Sequence, residues 1–553
     1  MSIVLKNKKR SVLSCLLCGA IAIGSASASL NVQEANAQAK AFKKKPANVI
    51  FMVMDGTSAG ATTLARWYKG GSLALDRLAA GAVRTYSAES AITDSAPAAT
   101  AMATGFKTND KLIGLLPAVA TTPGVPAVNE KDILKPVSTL VEAAKREGKA
   151  TGVIATSEIQ HATPAAFSSH VPHRNNFPDI AEQQVYQGMD VVLGGGGQSL
   201  LPGQEAQSRK DGENLVEEIK KNGYDYVDNR TALNKSTSSK IWGAFAAKDL
   251  AYDMDREKIA PSQPTLAEMT KKAIQTLSRN KKGFFMMVEG SKPDWAAHAN
   301  ETIGVISEVL AFDNAVKEAV DFAKKDGNTL VLAVTDHANS GITLGNADTD
   351  SSYPSTPVSA YMDPLKKAKL TLEGSLHYLK DDRSNLKEVA ELYGLASLTD
   401  EELNTLRSAK NIGPAMSSIL SKRAHIGFIT TGHTGEDVFL YSFGPNRPVG
   451  TFENSDLAKI AEKFMGLSLA DTTNALFKEA DTLFKTKGYE TFVDRTNPDN
   501  LVFTARKQGK LIQLPQNKNY LLKNGRIVQL PGVTVFNGKQ FYVSSQALSV
   551  AEK

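Results

Sequence analysis

Carboxylates and histidines recur in short clusters along this chain, at spacings that suit divalent metal ions. Asp55 directly follows an apolar run in Met54-Asp55-Gly56. Glu289, Asp294 and His298 fall within VEGSKPDWAAH, Asp336 and His337 adjoin at the end of TLVLAVTDH, and His433 lies between glycines in Thr431-Gly432-His433-Thr434-Gly435. Asp294 and His298 are four apart, so on a helix they share one face and can grip one ion. Taken singly, each has an ordinary structural alternative: Asp55 as a turn or helix cap, a lone histidine as a hydrogen-bonded core residue. Together they are harder to dismiss. The chain has only eight histidines, and His298, His337 and His433 all stand near acidic residues at expected strand ends or the turns that follow. Two or three divalent ions held by Asp, Glu and His would account for that placement.

A nucleophile stands nearby in the sequence. Thr93-Asp94-Ser95-Ala96-Pro97 precedes a run of small, helix-compatible residues, Ala98–Ala103. Pro97 suits a first helical turn. Ser95 would then sit among free backbone amides at the positive end of a helix dipole, a good place for an oxygen that attacks phosphorus. The competing reading of Ser95 or Asp94 is a helix cap.

The elements that must position these residues are legible as alternation. Val49–Met54, Gly152–Ala155, Val191–Leu193, Phe284–Val288 and Thr329–Val334 are apolar runs of strand length, which suit central strands covered on both faces. Helical patterns lie between them at Val137–Glu147, Leu215–Lys221, Leu266–Leu277 and Ile303–Lys324. The fold expected is α/β: a doubly wound, mostly parallel sheet flanked by helices, with its ligands beyond the carboxyl ends of the strands. Residues 345–424 interrupt the pattern and read as a helical insertion bordering the site. Two strands, Ile426–Thr430 and Val438–Phe443, should then complete the sheet. The run Gly194–Gly197 lacks the third glycine of GxGxxG and the lysine of a P-loop, so it reads as a strand-to-loop turn.

The two ends differ in character. Lys6, Lys8, Lys9 and Arg10 precede an apolar stretch from Val12 to Ile23, followed by small residues, the order of a secretory leader cleaved after Ala28 or, by preference, Ala37. The apolar run is too short for a comfortable membrane span; an uncleaved anchor is the competing reading. Removing residues 1–37 takes away four basic residues and Glu34, so the formal charge falls from +6 to +3. That excess is too small to point to nucleic acid. Cys15 and Cys18 are the only cysteines and both leave with the leader, so disulfides and thiolate ligands drop out. From about Asp494 the chain carries short strand-like pieces, Asn524-Gly525 and Asn537-Gly538 turns, and the paired phrases GKLIQLP and GRIVQLP. It reads as a small β appendage, residues 494–553, after a catalytic region spanning 38–493.

Six segments, NVIFMVMDG, ITDSAPAATAMATG, QHATPAAFSSHVPHR, VEGSKPDWAAH, VTDHANSG and TGHTGEDV, together resemble alkaline phosphatase, in the family's order and across residues 48–443. The resemblance implies a secreted bacterial phosphomonoesterase that works through a phosphoserine on Ser95, with two zinc ions and a third ion, normally magnesium. Asp294, His298 and His433 would hold the first zinc, and Asp55, Asp336 and His337 the second. Asp55 would bridge to the third ion with Thr163 and Glu289. Arg174 would grip phosphate. His161 and Trp295 stand where some bacterial members carry aspartate and lysine; the imidazole would disfavour magnesium, and the indole would line the substrate entrance. Expected partners are small phosphate monoesters, with a homodimer and a cell-wall contact through the tail both compatible with the sequence. A phosphodiesterase of the same scaffold and a non-catalytic envelope-binding protein are the alternatives. A sulfatase would need a formylglycine-type motif, which the Ser95 segment does not resemble.

Overall fold

A computed structural model describes residues 48–553. The expected leader, with Cys15 and Cys18, lies outside the described residues. Among those described, no helix is long and apolar enough to cross a membrane.

Ten strands form the central sheet: β1 (Asn48–Met54), β2 (Ala79–Arg84), β3 (Ala150–Glu158), β4 (Val191–Gly195), β5 (Asp225–Val227), β6 (Ile241–Ala244), β7 (Phe284–Gly290), β8 (Thr329–Val334), β9 (Val438–Phe443) and β10 (Gly450–Glu453). Their order is β10-β2-β9-β8-β1-β7-β3-β4-β6-β5. Strand β9 runs antiparallel to β2 and β8; all other neighbours are parallel.

Every residue of β1 is buried, and its alternation explains the layers. Ile50, Met52 and Met54 join an apolar cluster with the long helix Thr302–Asp326. Val49, Phe51 and Val53 face the opposite cluster, which includes the helix Ser95–Thr104. Both faces must be covered, so a continuous apolar run replaces the alternating pattern of a half-exposed strand. We label four helices near the carboxyl ends: α1 (Ser95–Thr104), α2 (Ala162–Ser168), α3 (Lys292–His298) and α4 (Thr302–Asp326). All ten residues of α1 are buried; its small side chains let it lie close to the sheet and to α2, and Gly105 ends it in the left-handed conformation at φ 84°.

Two expectations need correction. Ile426–Thr430 does not join the central sheet: only Ile426–Gly427 is extended, paired with Thr343–Leu344 in a separate ladder. The backbone amides of Ile429 and Thr430 instead donate to Ser340 O, which turns Ile429 outward to 82% exposure. The first tail strand is Glu490–Asp494, so β structure begins before Asp494. It leads a five-stranded antiparallel sheet in which Lys510–Pro515 and Arg526–Gln529, the paired phrases, flank Tyr520–Lys523. Asn524 and Gly525 both have positive φ, 49° and 80°, as a tight two-residue hairpin requires. Residues 345–424 supply helices and no strand of the central sheet.

Candidate active site

Strand register gathers the acidic residues. Met54 pairs with Gly290 and Val53 with Val334, so Asp55, Glu289 and Asp336 emerge side by side at the carboxyl ends of β1, β7 and β8. Gly56 then turns at φ 62°, where a Cβ would come within 2.6 Å of Asp294 Cα. Only glycine satisfies both constraints. A two-residue ladder of His433–Thr434 with Ala338–Asn339 lays the His433 ring over His337, with centroids 3.6 Å apart.

The first cluster joins Asp294 and His298, one helical turn apart on α3, to His433. His298 Nε2 lies 3.4 Å from Asp294 Oδ2, and His433 Nε2 lies 3.6 Å from Asp294 Oδ1. Each histidine turns Nδ1 to a backbone carbonyl: His298 to Thr431 O at 2.7 Å, His433 to Thr93 O at 2.9 Å. Those bonds put a proton on each Nδ1, so that in the neutral rings both Nε2 lone pairs face one another at 3.1 Å. Two facing lone pairs beside a carboxylate are a cation's ligand set. Without a cation, the hydrogen bond with Asp294 raises the His298 pKa to about 9, so near neutral pH its Nε2 carries a proton that an ion must displace, whereas burial and then the His337 charge lower the pKa of His433.

The second cluster is Asp55, Asp336 and His337, all fully buried. His337 Nδ1 donates to Ala338 O at 3.2 Å, so its Nε2 is again the free atom, 3.5 Å from Asp55 Oδ1 and 3.2 Å from Asp336 Oδ2. Ser95, the first residue of α1, places Oγ 3.2 Å from the same Nε2.

The third cluster shares Asp55 and adds Glu289 and His161, with the Thr163 hydroxyl against Glu289. Asp55 Oδ1 and Oδ2, Asp336 Oδ2, Glu289 Oε1, Thr163 Oγ1 and His161 Nδ1 are all buried and make no hydrogen bond of ordinary geometry. Such orphans are costly unless something else pairs with them. Burial, then the charges of Asp336, Asp294 and Glu289, push the Asp55 carboxyl well up, and burial foremost raises Glu289 to about 7. The donor set is therefore short of positive charge, and it fits divalent cations.

Arg174 completes the floor. Its Nη1 donates to Asp94, the residue before Ser95, and its Nη2 donates to His161 Nε2 at 3.2 Å. Trp295, on α3 beside Asp294, packs edge-on against His161 with centroids 5.6 Å apart.

The family model described as alkaline phosphatase matches residues 46–467. The chain belongs to the alkaline phosphatase family. It is 38% identical over 476 residues to "Alkaline phosphatase 3" of Bacillus subtilis, covering 81% of this chain and 94% of that one. Among solved structures, the alkaline phosphatase of Thermus thermophilus superposes with a TM-score of 0.68 at 27% identity, over 77% of this chain and 93% of that one. A variant of the alkaline phosphatase of the Antarctic bacterium TAB5, solved with Mg bound in the M3 site, superposes at 0.54 with 26% identity, over 77% and 99%. Membership makes this chain a phosphatase that depends on metal cofactors.

Ser95, Arg174, Thr163, Trp295 and the carboxylates and histidines singled out in the sequence lie in or beside these three alkaline phosphatase clusters. Three supporting residues were not anticipated. Asn339 donates to Asp294 Oδ1 at 2.7 Å, and Asp94 pairs with Arg174. Lys292, fully buried, donates to Asp249 Oδ2 at 2.7 Å and Leu250 O at 2.8 Å behind Trp295. Asn339 lies within VTDHANSG, two residues past His337; the partners of Asp94 and Lys292 are remote in sequence and left no local signal.

Proposed function

We propose that the protein hydrolyses phosphate monoesters through a covalent phosphoserine on Ser95. Asp294, His298 and His433 would hold one zinc ion, Asp55, Asp336 and His337 a second, and Asp55, Glu289 and Thr163 a third ion, magnesium in the simplest case, with His161 beside it. The observation that carries this reading is Ser95 Oγ at an amide-rich helix start, 3.2 Å from His337 Nε2 and beside three buried donor clusters.

Bound ions would supply a lowered serine pKa and neutralisation of the charge that builds on the phosphoryl and leaving oxygens. The remaining work belongs to the chain. Ser95 Oγ attacks phosphorus in line with the ester oxygen; the P–O ester bond breaks and the alcohol leaves. Water then cleaves the Ser95 Oγ–P bond, which regenerates the serine and releases inorganic phosphate. Arg174 offers paired N–H donors to two phosphoryl oxygens, and Asp94 aims that fork. Trp295 walls the entrance and supplies no charge-assisted bond to phosphate.

We further infer export, from the leader-like first 37 residues; amino-terminal sequencing of the mature protein checks it. The deciding experiment for the chemistry is hydrolysis of 4-nitrophenyl phosphate at alkaline pH, before and after chelation, with zinc and magnesium restored. Turnover should vanish on chelation, return with metal, and be lost in Ser95→Ala by at least about 10³-fold. A folded protein inactive with every metal, or a fully active Ser95→Ala, would sink the reading.

A further inference from the structure

One glutamine fastens the start of the loop that carries Arg174 to the helix that follows it. Gln183, on the helix Phe177–Gln187, accepts from His170 N at 2.7 Å and donates to His170 O at 2.9 Å. Residues 171–176, with Arg174 among them, are the loop so closed. Its first half is tied by paired bonds between Val171 and Ile113, and Arg174 N donates to Lys111 O at 2.9 Å.

The residue that holds Gln183 comes from the tail, beyond the segment matched by the family model. Asn517 is buried, and its Oδ1 accepts from Gln183 Nε2 at 3.0 Å while its Nδ2 donates to Asp179 Oδ1 at 3.0 Å and Glu182 Oε2 at 3.1 Å. Asp179, Glu182 and Gln183 sit at i, i+3 and i+4, one face of the helix that follows Arg174. One amide thus reads three side chains there. Its backbone is preset for this, with φ 66° and N donating to Thr534 O at 2.8 Å.

Neighbouring contacts fix the approach. Lys518 Nζ reaches Glu182 Oε1 at 3.0 Å and Glu213 Oε1 at 2.8 Å, and Arg209 fills the rest of that acidic group, so it is occupied by the protein's own cations. Tyr186, Phe477, Val535 and Tyr542 form an apolar cluster across the same seam. The Asn537-Gly538 turn comes against Pro172, two residues before Arg174, and Asn537 Nδ2 donates to Leu134 O at 2.9 Å.

We propose that Asn517 is a positioning residue for Arg174: through Gln183 it locks the loop 171–176, so the C-terminal strands are a brace of the phosphate clamp. This rests on reading Arg174 as that clamp. Asn517→Gly is the informative variant, because glycine keeps the left-handed backbone and removes only the amide. Gln183→Met severs the same relay from the other side and serves should the first fail to fold.

The test compares wild type, Asn517→Gly, Arg174→Ala and the double variant, all metal-loaded. It reads kcat, KM for 4-nitrophenyl phosphate, the inhibition constant of inorganic phosphate, and Tm. The expected result for Asn517→Gly is a three- to tenfold rise in KM and in the phosphate constant together, with kcat within twofold. In the Arg174→Ala background the same substitution should change neither constant further. A lower Tm with both constants unchanged makes Asn517 merely structural and overturns the inference, as does an undiminished fold-effect in the double variant. Unchanged phosphate inhibition in Arg174→Ala alone removes the clamp reading itself, and the inference with it.

Discussion

Arg174 Nη2 donates to His161 Nε2 across 3.2 Å, and this contact fixes the imidazole. A guanidinium has no acceptor, so Nε2 holds the lone pair and Nδ1 the proton. Burial, then the Arg174 charge, draws the His161 pKa down to about 3, which keeps the ring neutral. With this tautomer Nδ1 offers a proton, so an ion bound there must compete with the Arg174 contact.

That competition should disfavour magnesium at the third cluster. Magnesium wants oxygen donors in strict geometry, and Asp55, Glu289 and Thr163 supply them with an imidazole intruding. His161→Asp should lower the magnesium concentration needed for half-activation by on the order of tenfold. Titration of magnesium into chelated, zinc-restored protein measures it. An unchanged midpoint would show that His161 takes no part in choosing the third ion.

Arg174 is expected to matter more to phosphate than to folding. Charge-assisted bonds from a guanidinium fork are worth about 1.5–3 kcal/mol, so Arg174→Ala should weaken inhibition by inorganic phosphate by roughly 10- to 100-fold. Arg174→Lys should recover only part of that, since an ammonium lacks the paired geometry. Equal inhibition of wild type and both variants would count against the assignment.

Metal removal should couple to pH in a defined direction. Asp55 and Glu289 have raised pKa values in the cation-free cluster, Glu289 to about 7, with burial the leading cause for both. A carboxyl raised in the folded state stabilises the fold fully below its unfolded pKa, near 4.5, and loses that contribution as pH rises through the folded value. Chelated protein should therefore gain Tm as pH falls from about 8 to 6, while metal-loaded protein should not. At a free ion level a thousandfold above Kd, the loaded form should be more stable by about 4 kcal/mol. Parallel Tm curves with and without chelator would contradict the cluster's charge deficit.

What the sequence disclosed follows physical range. Val49–Met54 was legible because a strand buried on both faces must be apolar throughout, and Asp294 with His298 because helical spacing is local. Strand β2, AAGAVR, was not: its small residues and Gly81 carry little β propensity, and pairing with β9 and β10 makes it a strand. Ile426–Thr430 misled for the opposite reason, its β-branched residues having propensity but the backbone amides of Ile429 and Thr430 going to Ser340. The contact of Asp94 with Arg174 joins residues eighty positions apart, and no pattern within either segment encodes it.

The buried pair of His170 and Glu142 supplies the last prediction. His170 Nδ1 faces Gly114 O at 3.0 Å and Nε2 faces Glu142 Oε1 at 3.0 Å, so both nitrogens meet acceptors and only the imidazolium satisfies both. Burial opposes the charge, but Glu142 and the Gly114 carbonyl outweigh it and raise the His170 pKa; Glu142 is lowered, His170 overcoming its own burial. The signs define a window. The histidine's contribution is complete below its unfolded pKa near 6.5 and fades as pH rises through the raised folded value. The glutamate's is present above its unfolded pKa and fades as pH falls through the depressed one. Breaking such a pair leaves a buried charge alone, at about 3–5 kcal/mol. His170→Met should therefore destabilise the protein by about that much at pH 6, and the gap to wild type should narrow toward pH 10. Denaturant unfolding of both proteins across that range measures the gap; one that is constant with pH would mean His170 is neutral in the folded protein.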